Sequence, residues 1–339
     1  MRAYLDPRQR VHDPKHFMAN GRILPNPEVP ERVARLTAGA EAAGCVFEVP
    51  ADFGMGPLGA IHSPEYLTFL RTAHARWSRI PDAAPEIIPN VHPAGRGDSY
   101  PKSVLGQAGW HQADISCPIS AGTWEAAYWS AQTALSAAAV VAEGAGAAYA
   151  LCRPPGHHAF ADLAGGFCFL NNSAIAAEEL RRRGLRPAIL DVDVHHGNGT
   201  QGIFYARKDV LTVSVHADPA RFYPFYWGHA HERGTGEGQG YNLNLPLPRG
   251  TDDAGYLEAL ATGLQAIDSF GADVIVVALG LDAHENDPFQ GFRVTTPGFA
   301  RIAGAIAATG RRLLVVQEGG YLSEDLEPNL TAFLSGLQG

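Results

Sequence analysis

Short apolar runs that alternate with helical patterns along most of the chain constrain its fold more than any other feature. Tyr149–Cys152, Ala188–Val194, Val210–Val215, Val274–Leu279 and Leu313–Val316 are largely apolar rather than strictly alternating, the mark of strands buried on both faces. Around them, Glu31–Ala43, Pro64–Trp77, Thr123–Glu143, Ser173–Arg183, Asp252–Phe270 and Pro297–Thr309 carry helical periodicity, and several open on Ser, Thr or Pro. This order predicts an α/β fold with a mainly parallel sheet sandwiched by helices. No repeat or low-complexity linker divides the chain, so residues 1–339 read as one domain. Two stretches break the rhythm: the proline-rich segment 79–121, expected to be a long loop forming an interface or rim, and the aromatic-rich segment 216–240.

The polar residues are placed where such a fold would use them. Each apolar run ends in ionisable or hydrogen-bonding groups: His157 and His158; Asp191, Asp193, His195 and His196; His216 and Asp218; Asp282; and Gln317 to Tyr321. Sites in open parallel sheets form at the carboxyl ends of strands, so these groups are expected to share one edge. Within DVDVH, strand alternation would put Asp191, Asp193 and His195 on one side, with residues two apart separated by ~6.5 Å along the strand. Carboxylate and imidazole ligands suit zinc, whose catalytic sites keep three protein ligands and an open position, with Asp282 the natural third ligand. Taken singly, each Asp or His is as well explained by a helix cap or a buried ion pair; together at neighbouring strand ends they are not.

Charge and composition exclude other classes. A formal net charge of −9 without clustered Lys and Arg argues against a nucleic-acid partner, and the one basic knot, Arg181–Arg183, ends a helical pattern. The four cysteines show no metal or disulfide spacing, the start lacks an apolar signal core, and no apolar run is long enough to span a bilayer. A cytoplasmic location without membrane contact is expected. His12, His16, His62, His92 and His284 read as structural or solvent-exposed histidines, and Cys152 and Cys168 as packed thiols.

RPPGHHA, GGFCFLNN, DVDVHHGNGTQ, SVH, LGLDAHENDP and EGGY, in this order, resemble the histone deacetylase and acetylpolyamine amidohydrolase family; NPEVPERV and HSPEYLTFL extend the likeness toward the N-terminus. The resemblance implies the arginase-deacetylase fold, with a central eight-stranded parallel sheet flanked by helices. It implies one zinc per chain on Asp193, His195 and Asp282. An inner potassium ion would sit on Asp191, Ser214 and the backbone oxygens of Asp193 and His195. His157 and His158 become the paired catalytic histidines, oriented by Asp191 and Asn198, with Tyr321 facing the substrate carbonyl. Gly166, Phe167, Tyr223 and Phe289 would shape the acyl tunnel, and Arg32 would line an internal product channel.

The residues support these roles independently of the resemblance. An imidazole titrating near neutrality suits a base that later protonates the leaving amine, here His158, with His157 in electrostatic support. Gly319–Gly320 lets the chain turn sharply and aim the Tyr321 hydroxyl. The expected function is deacetylase-type hydrolysis of a small N-acylated amine or amide. Acetylpolyamine or acetyl-lysine protein deacetylation are the alternatives, and a non-catalytic binding protein of the same fold is the rival in a different class. A two-manganese centre would need more bridging acids than Ala283 and His284 provide. The family's polyamine enzymes carry acids at the tunnel mouth, where this chain has Leu105, Ser116 and Phe289, so an uncharged or weakly charged amide is expected unless Asp98 or Asp114 compensates. A homodimer or higher oligomer through 79–121 is expected from the polyamine branch.

Overall fold

In the computed structural model, which describes residues 1–338, the apolar runs assemble into one eight-stranded sheet. Its strands are β1 (Arg2–Tyr4), β4 (Val46–Glu48), β5 (Ala147–Ala150), β6 (Pro187–Asp191), β7 (Leu211–Ala217), β8 (Asn242–Leu247), β9 (Val274–Leu279) and β10 (Arg312–Gln317). The order across the sheet is β4-β1-β5-β10-β9-β6-β7-β8, and every pairing is parallel. A separate antiparallel hairpin pairs β2 (His16–Ala19) with β3 (Arg22–Pro25).

Both faces of the sheet are apolar, which explains why its central strands do not alternate in polarity. Leu314 and Val316 pack into one core cluster, and Leu313 and Val315 into the other. The first face is covered by α3 (Pro64–Trp77), α5 (Thr123–Ala142) and α6 (Asn172–Arg182). The second is covered by α1 (Glu31–Ala42), α8 (Asp253–Phe270), α9 (Thr296–Ala307) and α10 (Leu326–Gly336). Short helices α2 (Gly56–Gly59), α4 (Val104–His111) and α7 (Asn198–Phe204) complete the chain order. Several helix starts carry the caps their sequences suggest: Ser63 accepts from the Tyr66 amide, and Asp252 from the Gly255 amide.

The chain builds outward from β5 to β8 and then returns, inserting β9 and β10 between β6 and β5. The carboxyl ends of β5, β10, β9 and β6 therefore lie side by side where the winding direction changes, the usual place for a site in such a sheet. No helix among the described residues is long and apolar enough to cross a membrane.

Five strands escape the sequence reading, the β2–β3 hairpin and three strands of the main sheet. β1 and β4 span three residues each. β8 is an edge strand with buried Asn242 and Asn244, so it does not look apolar. The segment 79–121 is also not one loop: α4 interrupts it, and Ile87 bridges Ile119 inside the core.

Candidate active site

Four strand ends deliver the site. β6 stops at Asp191, and the chain then bends through residues 193–195. The expected strand alternation through His195 is therefore wrong, and bends do the converging instead. His195 Nδ1 lies 3.2 Å from Asp193 Oδ1 and 3.1 Å from Asp282 Oδ2. Ligand atoms of Asp193, His195 and Asp282 all fall within 4.8 Å of one another, and all three residues are buried.

These residues fit a divalent cation. Two carboxylates crowd one imidazole in a buried site, and burial together with Asp193 pushes the Asp282 carboxyl up to about 6. A dication among them would relieve that like-charge conflict, and the donor set matches catalytic zinc. Glycines leave the space open: a Cβ at Gly280 would strike Asp193, and one at Gly319 would strike both carboxylates.

The loop after β5 brings His157 and His158 beside this group, with their rings 4.0 Å apart. His157 Nδ1 pairs with Asp191 Oδ2 at 2.9 Å, and His158 Nδ1 with Asn198 Oδ1 at 2.7 Å. Their surroundings push the two rings in opposite directions. Burial alone would depress His157, but Asp191 and Asp193 outweigh it and push the imidazole up to about 10. For His158, burial and then the neighbouring charges of His157 and His195 drive its value well below the usual histidine range. The surroundings of His157 thus favour its cationic form and those of His158 its neutral form.

Tyr321 follows Gly320, whose φ of 105° only glycine adopts readily, and its ring packs 4.8 Å from Phe289 and 5.9 Å from Phe167. The site opens into a cavity of about 740 Å³ whose lining includes Gly166, Phe167, Tyr223 and Phe289. Arg32 does not reach this cavity. It is fully buried behind Tyr321, donating to Gly320 O at 2.6 Å, Glu318 O at 2.7 Å and Glu28 Oε1 at 2.7 Å. Ser214 pairs in register with Asp191, and its hydroxyl lies 2.8 Å from His216 Nδ1. His196 is buried against Asn244 and His216. Leu105 sits exposed on α4, away from the cavity, whereas Ser116 does line it.

Three carboxylates with structural work to do were not singled out for these contacts by the sequence. Glu318 accepts from the Gly156 and His157 amides and from Ser173 Oγ, and so fixes the histidine loop. Asp287 accepts from the Tyr321 and Phe289 amides. Asp114 accepts from the Tyr223 hydroxyl and the Gly166 amide. Glu318 lies in EGGY and Asp287 in HENDP, so their motif positions were a usable signal; Asp114 had none.

Comparison with known proteins gives the chain's family. The histone deacetylase domain matches residues 26–337. An acetylpolyamine amidohydrolase of Burkholderia pseudomallei is 50% identical, over 99% of this chain and 98% of its own. One from Mycoplana ramosa is 41% identical over the full length of both chains. A crystal structure of the acetylpolyamine aminohydrolase from Burkholderia pseudomallei superposes with a TM-score of 0.97 at 49% identity, covering 99% of this chain and 98% of that one.

Proposed function

The chain belongs to the histone deacetylase family and hydrolyses amide bonds as a deacetylase-type enzyme, and from that premise we propose which residues do the work and on what. The observation that carries the reading is the buried Asp193–His195–Asp282 group beside His157 and His158, whose rings are held by Asp191 and Asn198. The family is zinc-dependent, and Asp193, His195 and Asp282 would hold one zinc ion. A bound zinc supplies Lewis-acid polarisation of the substrate carbonyl and acidifies water.

The chain's own groups do the rest. Neutral His158 accepts the proton of the attacking water and returns it to the departing amine nitrogen, while Asn198 holds its ring through Nδ1. His157, kept cationic by Asp191, offsets the negative charge that develops on the substrate oxygen, toward which the Tyr321 hydroxyl donates a hydrogen bond. Phe167, Tyr223 and Phe289 exclude water around a slim acylated stem, with Gly166 leaving room beside His158. Arg32 would serve the internal channel by which the small acid leaves. An inner potassium ion on Asp191, Ser214 and the backbone oxygens of Asp193 and His195 would brace the strand ends.

The substrate favoured by the mouth is a small, uncharged or weakly charged N-acyl amide. Asp114 is the carboxylate in the mouth, its oxygens are already engaged, and Arg221 also lines the cavity. The second reading is an acetylpolyamine amidohydrolase, favoured by the 50% identity to the Burkholderia enzyme of that name. Steady-state kinetics separate the two: a ~100-fold higher specificity constant for acetylputrescine over a neutral amide of similar length, worth ~2.7 kcal/mol, would replace the first reading by the second.

The chain would act as one catalytic domain, since a single sheet recruits strands from Arg2 to Gln317. The four free, buried cysteines support a reducing, cytoplasmic setting. Metal analysis and turnover of Asp193→Ala and Asp282→Ala test the core of the reading. Both variants should lose metal and activity together; a stripped protein with full activity, or two essential ions per chain, would overturn it.

A further inference from the structure

The two walls of the cavity belong to segments far apart in sequence, and one side chain ties them. Phe167 stands on a tight turn in which Gly165 and Cys168 exchange backbone hydrogen bonds at 3.1 and 2.8 Å. Gly166 and Phe167 both take left-handed backbone angles, with φ of 50° and 69°. For Phe167 that conformation is strained and persists only where surrounding contacts over-determine it. Tyr223, on the opposite wall, is carried by the long segment after β7, with its ring 5.0 Å from that of His158.

Asp114, three residues beyond α4, reaches both. Its Oδ2 accepts from the Tyr223 hydroxyl at 2.6 Å and from the Gly166 amide at 3.1 Å. Oδ1 accepts from the Ser116 amide at 2.8 Å and stands 3.4 Å from the Gly166 amide. The carboxylate is placed by its own backbone, since Ala113 N donates to Ala164 O at 2.7 Å, one residue before the turn. A carboxylate offers about four acceptor positions, and these donors use most of them.

We propose that Asp114 is a positioning and specificity-determining residue: it clamps Tyr223 and the Gly166–Phe167 turn at a fixed separation, and so sets the width of the acyl passage rather than acting as a counter-ion for a cationic substrate. The inference rests on the reading of this cavity as the amide-cleaving site. The clamp explains how a non-glycine residue holds a left-handed conformation at the wall. It also explains how an acid can sit in the mouth with its acceptor positions turned toward the protein rather than the ligand.

Three variants test it. Asp114→Ala releases both walls. Asp114→Asn removes the charge and keeps one accepting oxygen, which can still serve the Tyr223 hydroxyl and the Gly166 amide, while its nitrogen turns a donor toward the Ser116 amide. Tyr223→Phe cuts one arm only. Asp114→Ala should lower the acetyl-over-butyryl ratio of specificity constants by ~10-fold or more, because small misplacements at a reacting centre are costly. Asp114→Asn should keep more of the parental acetyl-over-butyryl ratio than Asp114→Ala does and leave the cationic-to-neutral preference unchanged, because its one amide oxygen still accepts from both walls. Combined with Asp114→Ala, Tyr223→Phe should add little, since residues acting through one contact are not additive.

A crystal structure of the Asp114→Ala protein reads the clamp without turnover, and Tyr223 or the Gly166–Phe167 turn should be displaced. Walls that stay in place, or an unchanged acyl ratio, overturn the proposal. So does an Asp114→Asn variant that selectively loses cationic amides, which would make Asp114 a counter-ion. If the parent protein cleaves no amide at all, the reading of the site fails, and the wall positions in the Asp114→Ala structure still decide the clamp.

Discussion

At the scale of single residues, the site separates groups by environment. His157 and His158 share a dipeptide, yet carboxylate neighbours push the first imidazole up against its burial, while burial and the neighbouring charges of His157 and His195 drive the second down. His158→Ala and Tyr321→Phe should each lower turnover by ~10² or more with metal content unchanged, as general acid–base and oxyanion roles require. Near-parental turnover in either variant would remove that residue from the mechanism. His62 offers a prediction about stability instead. It is buried, accepts from the Asn171 amide at 3.0 Å, and burial lowers it to about 4. The unfolded chain therefore binds the extra proton between about pH 6.5 and 4, so the neutral folded form loses stability as pH falls through that window, by an amount on the order of 3 kcal/mol. Urea midpoints measured from pH 7 to 4 should fall, and His62→Gln should flatten the slope; an unchanged slope would show that other groups dominate.

At the scale of elements, the end of β10 holds several functions in a few residues. Glu318 fixes the histidine loop, Gly319 donates its amide to Asp193 Oδ2 at 2.8 Å, and Gly320 turns the chain into Tyr321. A methyl group at Gly319 would occupy the space between Asp193 and Asp282. Gly319→Ala should therefore take up less zinc than the parent under the same loading, measured by metal analysis. Its metal-free melting temperature should fall by only a few degrees, the scale of ~1 kcal/mol in a protein of this size. Full zinc occupancy in that variant would mean that the carboxylates move apart at little cost.

At the scale of the whole molecule, the segment 79–121 joins the core to the surface. Ile87 and Ile119 are buried and paired, whereas Val91, Tyr100 and Leu105 are exposed apolar side chains. We propose that this exposed part forms a contact between subunits, while residues 113–116 line the cavity mouth. Removing Ile80 to Gly95 would open the core, so point substitutions are the sharper probe. Val91→Asp with Leu105→Asp should give a smaller particle in light scattering with the melting temperature nearly unchanged, because both positions are exposed. A parent protein that is monomeric at high concentration would end the idea.

The sequence by itself determined the layered architecture, since apolar runs buried on both faces and alternating with helical patterns admit few other folds. It also marked the candidate reacting groups, because ionisable residues concentrated at strand ends have few structural uses. Pro64–Trp77 and Val274–Leu279 match their elements residue for residue. Tertiary structure alone decided the rest. β4 and β8 lie at the edges of the sheet, where one neighbour and partial exposure remove the apolar signature, so no local pattern marks them. Asp193 and His195 meet through bends rather than a pleat, because β6 ends at Asp191 and contacts from the ends of β9 and β10 shape the chain beyond it. Asp114 had no motif to announce it: its partners, Gly166 and Tyr223, lie 52 and 109 residues away, and only the folded chain brings a carboxylate to both.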